Sequence, residues 1–347
     1  MKAEFRHYRL DFKRPSRTSR AVMTYKDTYF LKIWDESDPA KYGIGECAVF
    51  RGLSADDFPN YESKLRDLCR AIGEGRKVDI ARWSSIKFGL ETALLDFDNG
   101  CCRRPFPTPW SEGQGGILIN GLVWMDTPEV MLQNAMAKAE AGFRCIKLKI
   151  GAHDFERELQ MVDKLRLAYG PDKLEIRLDA NGAFPDGETA LERLKRLSVL
   201  DIHSLEQPVK AGHWDTMAYV CENSPIPVAL DEELIGVHDP LDMFKMLKYI
   251  APAYIILKPS LCGGFSGATE WMNAAEKLGI GWWATSALES NIGLNAIAQW
   301  TSALDVTMPQ GLGTGMLYTN NVPSPLWLDG QYLRFDPARK FDLDDVC

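Results

Sequence analysis

The sequence has no Cys-x-x-Cys pair among its eight cysteines, no surplus of positive charge and no apolar run approaching the ~20 residues that a membrane-spanning helix needs. The first absence argues against a zinc knuckle or a redox pair, so the cysteines are read as reduced thiols, mostly core filler. The second follows from 40 Lys and Arg against 48 Asp and Glu, a net charge of −8, which offers no basic field to a nucleic-acid backbone. The third excludes a membrane span, since stretches such as Tyr254 to Leu257 and Ile117 to Leu122 are short. The N-terminal MKAEFRHYRLDFKRPSR develops no apolar core of a secretory signal, so a cytoplasmic location is expected. What remains is ordinary globular composition, 46% hydrophobic and 25% charged over 347 residues. That length suits one large domain with a smaller companion.

Arg6 to Leu10 and Tyr25 to Ile33 have the pattern of strands, and Tyr61 to Ile72 that of an amphipathic helix. The Pro- and Gly-rich run from Pro105 to Gly116 then marks a boundary near Gly115. Beyond it, short apolar strands alternate with helix-length segments, as in βα units around a parallel sheet. Eight strands are expected, at Ile117–Met125, Cys145–Ile150, Glu175–Asn181, His203–Pro208, Pro227–Glu232, Tyr254–Pro259, Gly281–Ala287 and Asp305–Gly311. Thr127-Pro128-Glu129 should open the first helix and Gly142 stop it. Eight strands fit a closed α/β barrel, whereas an open doubly wound sheet would normally carry a Gly-rich phosphate loop after its first strand, and Asn120-Gly121 is not one.

Charged and polar residues stand at successive strand ends: Lys147 and Lys149, Asp179 and Asn181, Glu206, Asp231 and Glu232, then Lys258. From Lys149 to Lys258 the steps are 30, 27, 25 and 27 residues, about one βα unit each. In a barrel such ends converge on one mouth. A single carboxylate there is commonly a helix cap or a surface ion pair. Three in register, Asp179, Glu206 and Asp231, would instead supply hard oxygen ligands suited to Mg²⁺, with no His or Cys to favour zinc. Lys147 and Lys149, two apart on a strand, point to one side, where mutual repulsion could turn one amine into a base near neutral pH. Lys258 faces them from across the barrel. An aldolase using Lys258 as a Schiff-base amine would leave the three carboxylates unexplained. A non-catalytic metal-binding protein would not need opposed lysines.

The series K-L-K, R-L-D-A-N, L-E-Q-P, L-D-E-E, L-K-P and T-S-A-L-E-S-N-I-G-L, from Lys147 to Leu294, resembles the muconate-lactonising subgroup of the enolase superfamily. The resemblance implies a modified TIM barrel, (β/α)7β, over residues 116–319. It also implies an α+β capping domain over 1–115, completed by 320–347 and above all by Leu326–Phe335. It further implies Mg²⁺, or Mn²⁺ in its place, on Asp179, Glu206 and Asp231, with Lys149 and Lys258 as acid/base groups on opposite faces of a small carboxylate substrate. The shared chemistry is removal of a proton α to that carboxylate. Thr285-Ser286-Ala287-Leu288-Glu289-Ser290 is similar to the hydroxyl-rich seventh strand of the subgroup's water-eliminating members. That implies loss of water from a succinyl-bearing cyclohexadiene carboxylate, with Thr285, Ser286 and Glu289 near the substrate. N-acylamino acid racemase, dipeptide epimerase and muconate cycloisomerase are the alternatives, although the D-x-D of the epimerases has no counterpart in Gly311-Leu312-Gly313-Thr314-Gly315. Glu233 departs from the Ser of many relatives. The loop expected from Lys13 to Thr24 would close over the mouth and bring Arg17 or Arg20 to a substrate carboxylate.

Overall fold

The computed structural model describes residues 1–17, 22–344 and 346. Three antiparallel strands come first, β1 (Lys2–Arg17), β2 (Val22–Trp34) and β3 (Tyr42–Cys47), in the order β1-β2-β3. The period-2 pleat gives β2 two buried faces. Tyr29, Leu31 and Ile33 pack with Leu65, Leu68, Ile86 and Ala93 of helices α1 (Tyr61–Glu74) and α2 (Ser84–Asp98). On the other face, Phe30 and, from β1, Leu10 and Phe12 meet Ile292, Leu288 and Tyr318 from the second half of the chain.

The ladder between β1 and β2 runs from Lys2↔Trp34 to Asp11↔Tyr25 and resumes at Ser16↔Met23 after a register shift. Residues 13–17 and 22–24 are therefore strand where a loop was expected. Lys13, Arg14, Pro15, Val22 and Thr24 are exposed, so no alternation of buried and exposed residues marks this extension. Helix α2 was also invisible in the pattern, because Ile86, Phe88, Gly89, Thr92, Ala93 and Asp96 leave it buried on several sides.

The barrel begins after β4 (Ile117–Leu118). Its strands are β5 (Gly121–Val123), β6 (Cys145–Lys149), β7 (Glu175–Asp179), β8 (Ser204–Glu206), β9 (Val228–Leu230), β10 (Tyr254–Leu257) and β11 (Gly281–Ala284). They form one parallel sheet in sequential order, each followed by a helix: α3 (Pro128–Glu140), α4 (Phe155–Ala168), α5 (Gly187–Leu197), α6 (Trp214–Asn223), α7 (Pro240–Ile250), α8 (Gly264–Glu276) and α9 (Asn291–Ser302). Thr127 caps α3 and Pro128 opens it, as the sequence indicates, while Gly142 beyond its end adopts φ 94°.

The eighth strand is shorter than expected. Gln310 bridges Ile119, and Gly311 bridges Thr285, which closes the ring. Pro309, with no N–H to give a ladder, precedes this two-residue contact. Likewise the single strand expected over Ile117–Met125 is split, since β4 turns to pair with a hairpin of β12 (Leu326–Asp329) and β13 (Tyr332–Phe335). That hairpin packs beside the barrel rather than finishing the cap sheet. The cap is reached instead by Asn320, which bonds Arg9 and Asp11, and by Phe341, Leu343 and Val346 around Phe30. Among the described residues no helix is long and apolar enough to cross a membrane.

The cap sheet and α2 approach so closely that three glycines are required. A Cβ on Gly43 would lie 2.0 Å from Ala93 O, one on Gly45 1.9 Å from Gly89 O, and one on Gly89 2.4 Å from Cys47 Sγ. Gly45→Ala should therefore destabilise the protein by at least about 2 kcal/mol in urea unfolding, as overpacking does. Gly73→Ala, at an exposed helical site with open space, should instead stabilise by about 0.5 kcal/mol.

Candidate active site

Register brings the strand-end charges together. Lys149 pairs with Asp179, and Asp179 with Glu206, across β6, β7 and β8, so the three groups share one level of the barrel. Lys147 Nζ lies 2.8 Å from Asp179 Oδ2 and 2.6 Å from Glu206 Oε2. Lys149 Nζ donates to Asp179 Oδ2 at 2.7 Å and to Asn181 Oδ1 at 2.8 Å. Lys258, at the end of β10, donates to Asp231 Oδ2 at 2.5 Å. Three strands separate β6 from β10, so Lys149 and Lys258 stand on opposite sides of the mouth.

Burial and these pairings push the titratable groups in different directions. For Lys147 the burial that would lower its pKa is outweighed by Asp179, Glu206 and Asp231, and the net shift is upward. Of the two lysines expected to offer one amine as a base, Lys147 is therefore not that one, since the carboxylates dominate around it. Burial would raise the Asp179 carboxyl, but Lys147 and Lys149 hold it well below the usual range. Glu206 is pushed up by burial and by Asp179, Glu232 by burial and by Asp231. Burial opposes the charge on Lys258, yet Asp231 and Glu206 raise its pKa.

Around these charges lies a set of supporting hydrogen bonds. Asn181 donates to Glu232 Oε1 at 3.1 Å while its own N–H binds Asp179 Oδ1 at 2.9 Å. Gln207 accepts from Asp231 N at 3.1 Å and donates to Glu233 Oε2 at 3.0 Å. Glu233 also accepts from Gly212 N at 2.8 Å, so this residue orients the amide that fixes the Asp231 backbone.

Among the described residues no three His, Cys, Asp or Glu converge in ligating geometry as they stand, because Asp179, Glu206 and Asp231 are each turned onto an ammonium group. The donor set nevertheless fits a hard divalent cation. Three carboxylates come from adjacent strands, and Glu206 Oε1 and Glu232 Oε2 are buried with no hydrogen-bond partner.

Above the charges is a cavity of about 340 Å³. Lys147, Lys149 and Lys258 reach it from the barrel, together with Asn181, Glu232, Thr285 and Ser286. Glu289 is buried behind the wall, where it accepts from Ser286 Oγ and Ser260 Oγ at 2.5 Å each. The cap contributes Met23, Phe50 and Arg51. Arg51, held by Asp57 at 2.6 Å, was missed in the sequence because nothing in the motif around it distinguishes it from a surface arginine. Arg17 ends β1 and Arg20 lies outside the described residues.

Comparison with known proteins places these features in a lineage. Residues 130–332 match the model of the family described as enolase C-terminal domain-like. An o-succinylbenzoate synthase of Desulfotalea psychrophila is 42% identical, over 96% of this chain and 98% of that protein. The crystal structure of MenC from Desulfotalea psychrophila superposes with a TM-score of 0.85 at 40% identity, over 96% of this chain and 99% of that one. A dipeptide epimerase of Enterococcus faecalis, crystallised with Mg and L-Leu-L-Tyr, shares the fold with a TM-score of 0.80 at 20% identity, each chain being 96% covered. Built as a (β/α)7β barrel under an α+β cap, and matched along nearly its whole length, the chain belongs to the enolase superfamily.

Proposed function

We propose that this chain is an o-succinylbenzoate synthase, a lyase that removes water from 2-succinyl-6-hydroxy-2,4-cyclohexadiene-1-carboxylate to give 2-succinylbenzoate, in the cytoplasm, for menaquinone biosynthesis. The observation that carries the reading is the nearly full-length likeness to an o-succinylbenzoate synthase. The opposed lysines over a carboxylate cluster support it. We divide the chain accordingly into a capping unit of residues 1–115 with 320–347 and a catalytic barrel of 116–319. Epimerisation of a dipeptide is disfavoured, because Gly311, Gly313 and Thr314 at the cavity offer no acid to an α-ammonium group.

Removing a proton α to a carboxylate sends its electron pair onto the carboxylate oxygens, an enediolate that must meet positive charge. Mg²⁺ held by Asp179, Glu206 and Asp231 supplies that charge when bound, and Mn²⁺ can replace it. Lys149, as the amine, takes the proton from the ring carbon that bears the carboxylate. The same group, now an ammonium, gives it to the departing hydroxyl on the same face, so that water leaves and the electron pair completes the aromatic ring. Lys258 remains cationic on the opposite side. Asn181 holds Lys149 in place. Met23, Phe50, Leu122 and Leu288 give the ring an apolar wall. Arg51, the cation that the cap brings to the cavity among the described residues, faces the succinyl carboxylate.

EDTA should abolish turnover and Mg²⁺ or Mn²⁺ restore it. Asp179→Asn, Glu206→Gln and Asp231→Asn should each lower kcat by at least ~10²-fold, the scale of losing an electrostatic stabiliser. Full activity in chelator would remove this mechanism.

The lysines separate dehydration from racemisation. Lys149→Ala should cost ~10²–10⁴-fold in kcat, the range of general acid–base catalysis, and should stop exchange of the α-proton with D₂O. Lys258→Arg keeps a positive charge and should retain more dehydration than Lys258→Ala, yet lose any racemase activity, because arginine does not readily exchange protons. Equal collapse of both activities in Lys258→Arg would contradict the one-base assignment.

Arg51→Ala should raise KM by about 10-fold with a smaller change in kcat, as expected for lost ground-state binding. An unchanged KM would free Arg51 of that role.

A further inference from the structure

Five of the helices that follow barrel strands are capped by the residue just before them. Thr127, Asp154, Asp186, Asp239 and Ser290 accept from first-turn N–H groups of α3, α4, α5, α7 and α9. Helix α8 draws on the cap instead, and α9 draws on it in addition. Gly263 precedes α8 and has no side chain to offer. In its place Glu91 of α2 accepts from Phe265 N at 2.6 Å, Ser266 N at 3.3 Å and the Ser266 hydroxyl at 2.5 Å. At α9, Ser290 binds Ile292 N, but its own N–H and hydroxyl go to Glu46 of β3 at 2.9 and 2.5 Å. Glu46 also accepts from Gly293 N at 2.9 Å and from the Thr28 hydroxyl at 2.8 Å, and it is fully buried.

Both seats depend on glycine. A Cβ on Gly264 would lie 2.4 Å from Glu91 Oε2, and one on Gly293 2.8 Å from Glu46 Oε2. The negative charges lie where the helix dipoles favour them. Lys26, whose buried ammonium has no hydrogen-bond partner, acts electrostatically on both Glu46 and Glu289.

The two loops that these helices close form one side of the cavity. Leu261 lies between β10 and α8, and Thr285, Ser286, Ala287 and Leu288 lie between β11 and α9. Cap carboxylates thus fasten the barrel loops that face the substrate, and do so without touching the cavity. We propose that Glu46 and Glu91 are positioning residues: by capping α9 and α8 they fix this wall against the substrate's side chain, leaving the proton-transfer groups to the barrel. For its choice of substrate the inference rests on the dehydration reading.

Glu46→Gln and Glu91→Gln in the full-length, Mg²⁺-loaded enzyme test this, because an amide presents one acceptor oxygen where two were used and turns an NH₂ toward N–H donors. With the cyclohexadiene substrate, KM should rise at least ~5-fold while kcat changes less than ~3-fold, the signature of lost binding rather than lost chemistry. Amide hydrogen exchange should quicken over residues 285–293 in Glu46→Gln and over 258–266 in Glu91→Gln. Lower thermal stability with unchanged KM and exchange would make the carboxylates structural only, and a fall in kcat at constant KM would also overturn the proposal. If Glu46→Gln does not fold, Glu91→Gln, at a partly exposed site, decides alone. Wild-type protein inactive on this substrate would remove the dehydration reading, whereas the exchange measurement would still decide the role of the carboxylates.

Discussion

Lys147, Lys149 and Lys258 and the carboxylates of Asp179, Glu206 and Asp231 can stand together inside the barrel only by compensating one another. Burying any of these charges unpaired would cost several kcal/mol, so each strand has to deliver its group in register with the next. The parallel ladders Lys149↔Asp179 and Asp179↔Glu206 do this. Asn181 and the Gln207–Glu233 pair then hold the strand ends so that the charges stay aligned. Such a cluster is pre-arranged to meet a substrate carboxylate as it gathers negative charge, which is the demand of α-proton chemistry.

The division of labour follows from the two halves of the fold. Barrel strands supply the charged floor, and the cap supplies Met23, Phe50 and Arg51 above it. The cap is joined to the barrel by apolar contact, as Leu10 and Phe12 meet Leu288 and Tyr318, and by the carboxylates of Glu46 and Glu91. A cap seated in this way borders the cavity from above and bonds to the loops that form one of its sides.

The strand-end residues were legible because each βα unit repeats at a nearly constant interval, so Lys149, Asp179, Glu206, Asp231 and Lys258 marked the mouth without any knowledge of contacts. The cap was harder. Residues 13–17 extend β1 by backbone pairing that leaves no apolar pattern, and α2 is buried on too many sides to show a single stripe. Closure by Gln310 and Gly311 alone is too short to register as a strand. Gln207 and Glu91 act through partners far away in sequence, and only folding brings those partners near, whereas Arg51 pairs with the nearby Asp57 and reaches the cavity only once the cap is folded. Glu233 stood out as a departure, but its hydrogen bonds to Gln207 and Gly212 could not be read from one chain.

The most direct measurement is to mix the purified protein and Mg²⁺ with 2-succinyl-6-hydroxy-2,4-cyclohexadiene-1-carboxylate and follow the ultraviolet absorbance of the aromatic product. The expected result is complete conversion to 2-succinylbenzoate, catalytic in protein and proportional in rate to its concentration. Recovery of unchanged substrate, at a rate no faster than the spontaneous reaction, would contradict the assignment.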